Sequence, residues 1–130
     1  MRVLKTKAFG RFQRSEGMRD AALCRAVRNA AAGLVDADLG HGLIKQRVAR
    51  PGQGKRGGYR TVIAYRVRDR AVFLFGFAKS AKADLKPDEL AELVEVGATW
   101  LRADDDAIEA AIADGRLKEV DCGEEIESEG

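Results

Sequence analysis

The spacing of hydrophobic and polar positions changes period several times along the chain. Arg2 to Lys5 is short and β-compatible. Thr6 can then cap a helix whose Phe9 and Phe12 share one face before Gly17 stops it. From Arg19 to Ala32, Leu23, Ala26, Val27 and Ala30 recur at helical spacing, with Arg25, Arg28 and Asn29 opposite them and Gly33 at the end, which predicts a second, amphipathic helix. After the turn composition of Asp36 to Gly42 the period drops to two, so that Leu43, Lys45, Arg47 and Ala49 share one face of a strand over Leu43 to Arg50. Tyr59 to Arg66 and Ala71 to Ala78, rich in β-branched and aromatic residues and separated by Arg68-Asp69-Arg70, predict a buried β-hairpin. Pro87 opens a third helix carrying Leu90, Leu93, Val94, Gly97 and Leu101, and Asp104 to Asp106 open a short fourth one, Ala107 to Asp114, ended by Gly115.

The order β-α-α-β-β-β-α predicts an α+β fold. Its small antiparallel sheet has the two N-terminal helices packed on one face and a C-terminal helical, acidic extension, leaving the other face free for a ligand. A length of 130 residues suits one domain, expected over 1–118, with 119–130 as a frayed tail of six carboxylates and no cation. Apolar residues at 45% exclude a disordered body. No apolar run supports secretion or membrane insertion, so a cytoplasmic protein is expected. Cys24 and Cys122 lie 98 positions apart without a CxxC or His/Cys cluster, and read as reduced thiols rather than a disulfide or a zinc site.

Charge sharpens the picture. The formal net charge is +2, yet residues 1–86 carry 20 Lys and Arg against 6 Asp and Glu, while 87–130 carry 3 against 15. A basic body of this kind suits a polyanion. Lys45 and Arg47 point the same way, and Lys55, Arg56, Arg60, Lys79 and Lys82 can join them on one sheet edge, with Tyr59 bordering the group. The stretch Arg50 to Gly58, with four glycines, one proline and three cations, predicts a loop; it lacks phosphate-loop spacing and does not lead into a helix. His41, between two glycines, reads as a turn residue rather than a base. Phe73, Phe75, Phe77 and Trp100 read as core. No grouping of Asp, Glu or His among the cations has metal-ligand spacing, so neither a metal nor another cofactor is expected.

The segments Asp36-Ala-Asp-Leu-Gly40, Lys45-Gln-Arg-Val-Ala-Arg-Pro-Gly-Gln-Gly-Lys55, Gly57-Gly-Tyr-Arg-Thr61 and Phe75-Gly-Phe-Ala-Lys79 resemble the RelE/HigB-type toxins of bacterial toxin-antitoxin modules, most of all the subgroup described as phage-derived RelE-like proteins. The similarity runs from Val3-Leu-Lys-Thr-Lys7 to Leu117-Lys-Glu-Val120. It implies the α+β fold derived above, a ribosome-dependent mRNA endoribonuclease, and a cognate antitoxin of helix-turn-helix type. By motif position it implies catalytic roles for Lys45, Arg47, Arg60 and Lys79; Lys55, Arg56, Tyr59 and Lys82, from the cation cluster, are the candidate RNA contacts. The chemistry would be attack of a ribose 2′-oxygen on the adjacent phosphate, the arginines stabilising phosphorane charge and a lysine accepting or relaying a proton. No Tyr or His follows Tyr65, where many members of the family carry a proton-transfer residue. Relatives of this fold that act on DNA gyrase, and plain nucleic-acid adaptors, are the competing readings.

Overall fold

The computed structural model describes residues 1–50 and 54–123, with the backbone alone for 54–57. The strands are β1 (Arg2–Thr6), β2 (Ala37–Gly40), β3 (Leu43–Arg50), β4 (Gly54–Arg66), β5 (Arg70–Ala78) and β6 (Leu117–Glu119); the helices are α1 (Lys7–Glu16), α2 (Asp20–Ala31), α3 (Pro87–Arg102) and α4 (Asp105–Ala113). They form one sheet in the order β2-β3-β4-β5-β1-β6, in which β1 runs parallel to β5 and every other pair is antiparallel. The α+β class and the two N-terminal helices are as the periodicity predicts. Thr6 caps α1 through its hydroxyl, which accepts from the Phe9 N–H at 3.2 Å, and Gly17 ends the helix at φ 66.

The second sheet face, expected to be free, is largely covered. On one side Phe9, Leu23, Val27 and Ala30 pack on Val3, Ile44, Val48, Ile63 and Phe73. On the other, Leu93 and Trp100 of α3 and Ile108 of α4 pack on Leu4, Leu43, Val62, Ala64, Val72 and Leu74. The third helix is amphipathic and must bury its own apolar stripe, and the bare sheet face is the surface that can take it. Gly97 allows the close approach, since a Cβ there would lie 2.7 Å from Leu43 Cδ2.

Three further expectations are corrected. The loop foreseen over Arg50 to Gly58 is in part strand: residues 51–53 lie outside those described, but β4 begins at Gly54, paired with Arg50 after a shift of register. The glycines admit a neighbouring backbone, for a Cβ on Gly58 would stand 2.2 Å from the Val48 carbonyl oxygen. The turn foreseen over Asp36 to Gly42 contains β2, too short to show a period. Finally, Cys24 and Cys122 form a disulfide with their Cα atoms 5.6 Å apart. Sequence distance hid this: β6 pairs with β1, and the chain beyond it continues alongside α2, where Arg28 donates to the Cys122 carbonyl at 3.0 Å. Glu119 stands opposite Leu4 and the Val120 N–H bonds to the Val3 carbonyl at 2.8 Å; 124–130 lie outside the described residues.

Candidate active site

Two rows of side chains cross the sheet on the α3 face, at the end that lies beyond the start of that helix. In register, Arg47 stands opposite Arg60 and Arg60 opposite Phe77; one step along, Lys45 stands opposite Val62 and Val62 opposite Phe75. Directly paired residues of neighbouring strands share a face, and Val62 belongs to the α3-side core.

The aromatic pair reaches this face through a register shift between Val62 and Ile63, where Val62 opposes Phe75 but Ile63 opposes Phe73. Leu74 is the extra residue, a β-bulge that breaks alternation and parts Phe75 and Phe77 from Phe73. Simple alternation would have put all three rings in one layer.

The charges are unevenly satisfied. Arg60 is only 7% exposed, and its Nη1 is buried without a hydrogen-bond partner among the described residues. Such a group has lost water and gained nothing in return, which costs stability. Arg47 is exposed, and its backbone N–H is held by the Asp36 carboxylate at 2.6 Å. Beneath the rows, buried Gln46 donates to the Ala26 and Leu34 carbonyls at 3.0 and 3.1 Å, and Thr61 Oγ1 donates to the Gln46 carbonyl at 2.9 Å, which locks β3 to β4 and to α2. Lys45 is half-buried, its Nζ 3.1 Å from Asp84 Oδ1. The Asp84 carboxyl is held below the ordinary carboxylate range by the Leu85 N–H, then by Lys45, with Arg60 adding a smaller effect. Lys82 lies over both rings, 5.7 Å from the Phe75 centroid and 5.6 Å from that of Phe77, and pairs with Glu89.

Lys45, Arg47 and Arg60 therefore meet, with Lys82 beside them. Lys79 is exposed just past β5, where its backbone N–H reaches the Gly58 carbonyl at 3.4 Å. The side chains of Lys55 and Arg56 lie outside the described residues. Tyr59 is not part of the group: it is 2% exposed on the opposite face, edge-on to Phe12, its hydroxyl donating to the Glu16 carbonyl at 3.4 Å, and burial pushes its phenol up from the usual value. Its odd position on β4 puts it on the α1 side, out of reach of a ligand at Arg60. His41 is exposed at φ 54 in the β2–β3 turn, before the start of β3 and away from Arg47 near the other end of that strand. Phe75, Phe77, Asp84 and Glu89 are the neighbours that sequence reasoning missed; the one acid between Lys82 and Lys86 was the available sign. The groove of about 290 Å³ between α1 and α3 carries Glu89 and Glu92 and no cation, so it does not suit a phosphate.

Among the described residues, no group of three or more His, Cys, Asp or Glu is placed to hold a metal ion, and no helix is long and apolar enough to cross a membrane.

Lys45, Arg47 and Arg60 thus form a cationic group at one end of the sheet of a helix-packed α+β domain, with one buried guanidinium nitrogen unpartnered among the described residues. The family described as RelE toxin of the RelE/RelB toxin-antitoxin system matches residues 1–120, and the chain belongs to that family. No curated protein sequence matches it significantly.

Proposed function

We propose that this toxin arrests translation by cutting mRNA on the ribosome, without a protein-bound metal, and is neutralised in the cytoplasm by an antitoxin of helix-turn-helix type. The observation that carries the reading is the Arg60 guanidinium, buried beside Arg47 and Lys45 with one nitrogen unpartnered among the described residues. A phosphodiester oxygen supplies the missing acceptor. In the reaction the ribose 2′-oxygen bonds to phosphorus while the bond to the 5′-oxygen breaks, leaving a cyclic phosphate and a 5′-hydroxyl. Arg60 and Arg47 stabilise the charge that grows on the phosphorane, the proton lost by the 2′-hydroxyl is balanced by the one the departing 5′-oxygen takes up, relayed by Lys45, and Lys79 and Lys82 hold the flanking backbone.

The test is cleavage of mRNA on programmed ribosomes by wild-type protein, Arg60→Ala and Lys45→Ala, with circular dichroism to check the fold. Each variant should lose on the order of a hundredfold in rate and the matching growth inhibition. Variants that keep full toxicity would place the active site elsewhere or support a gyrase-directed toxin.

A further inference from the structure

Asp84 is the one carboxylate within ion-pair distance of a side chain in the two rows, among the described residues. Its Oδ1 lies 3.1 Å from Lys45 Nζ and also accepts the Leu85 N–H at 2.8 Å. The segment that carries it, between β5 and α3, is held on both sides. The Ala81 and Lys82 N–H groups reach the Ala78 carbonyl at 2.9 and 3.2 Å, and the Lys82 side chain rests on Phe75 and Phe77 and pairs with Glu89 in the first turn of α3. The carboxylate is therefore presented to the cations by an anchored turn. It is nonetheless 62% exposed as a side chain, so water can take its place when it swings away.

A carboxylate and a phosphate compete for the same partner. Any RNA phosphate that comes to the exposed Arg47 or to Lys45 meets Asp84 there, and must either displace it or accept its repulsion. We infer that Asp84 is a specificity-determining residue: its carboxylate holds Lys45 in place of a substrate phosphate and weakens binding of free single-stranded RNA, so that productive binding is left to RNA held by additional contacts. This rests on the RNA-cutting reading above and adds to it the residue that sets the threshold.

The measurement is fluorescence anisotropy of a labelled, uncleavable 2′-O-methyl oligouridine with the full-length chain across a salt series. Asp84→Asn is the informative variant, because its side-chain oxygen still accepts the Leu85 N–H while the charge is gone. It should bind about fivefold tighter at low salt, and the gain should fade toward unity as salt screens it. Asp88→Asn, with the same change in net charge on an exposed position of α3, should gain little. In a Lys45→Ala background the Asp84→Asn gain should shrink, since the pair it releases no longer exists. Unchanged affinity for Asp84→Asn, an equal gain for Asp88→Asn, or an undiminished gain without Lys45 would each overturn the inference. If Arg60→Ala and Lys45→Ala bind as tightly as wild type, the RNA site itself is wrong; if they bind weakly while Asp84→Asn gains nothing, only the role of Asp84 falls.

Discussion

Arg47 and Arg60 stand directly opposite each other across the β3–β4 ladder, and neither has a carboxylate within ion-pair distance among the described residues. Like charges in a direct cross-strand pair repel, and a buried cation without a partner adds its desolvation cost. Arg60→Met should therefore raise stability, by about 1 kcal/mol or more, or several degrees in Tm, while RNA binding is lost. A thermal melt decides it; a lower Tm would mean that the guanidinium makes a net stabilising contribution.

The opposite case is Lys5, buried at 8% exposure, whose Nζ donates to Gln13 at 2.6 Å and to Asp20 at 3.1 Å, while Gln13 Nε2 donates to Asp20 at 2.7 Å. Burial alone would raise the Asp20 pKa, but the hydrogen bonds from Gln13 and Lys5 outweigh it and hold the carboxyl below its ordinary range. A carboxyl depressed in the folded state stabilises above its unfolded value, about 4, and loses that contribution as pH falls through the depressed value. Wild type should thus exceed Asp20→Asn in urea midpoint by a constant margin from pH 7 to 5, and the margin should narrow below about pH 4. A margin independent of pH down to acid unfolding would show that the ion pair is not what Asp20 supplies.

The Cys24–Cys122 bridge closes a loop of 98 positions. Chain-entropy reasoning for a loop of that size allows up to about 4.7 kcal/mol, and native bridges generally deliver about 2–5. Reduction, or Cys122→Ser, should lower the urea midpoint accordingly and leave cleavage intact, because Cys24 packs in the α2-side core, across the sheet from Arg60. Equal midpoints with and without reductant would remove the bridge from the stability account.

Gly58→Ala is expected to damage the site without touching a charge. The added methyl would stand 2.2 Å from a backbone oxygen of Val48, which cannot rotate away as a side chain would, so β3 and β4 must part next to the Arg47–Arg60 pair. Hydrogen exchange should show loss of protection at residues 46–48 and 59–61. Retained protection would mean that the strands accommodate the methyl.

Much of this is legible in the sequence. The period-two spacing of Lys45 and Arg47 puts both on one face, and Thr6 and Gly17 bound α1 as expected. The Gly-Gly-Tyr-Arg segment points to Arg60, though not to its burial. What stayed hidden depends on long-range pairing or on a single irregular residue. The bulge at Leu74 reverses the sides of Phe75 and Phe77, and nothing in a run of β-formers announces it. The cover provided by α3, the position of Asp84 and the disulfide all follow from where distant segments come to rest, which periodicity does not encode.

The position of β1 has a kinetic side. This N-terminal strand sits between β5 and β6, so its partners lie more than sixty and more than a hundred residues further along the chain. The β2-β3-β4-β5 meander is joined by near neighbours and closes shorter loops. Pulse-labelled hydrogen exchange during refolding should therefore protect the meander first and β1 late. Because Lys45, Arg47 and Arg60 all belong to the meander, the proposed anion site takes shape in a half-built protein whose first strand still has both edges open to a stranger's chain. A chain assembled in this order gathers its cations on one sheet face before it has finished protecting its edges from aggregation.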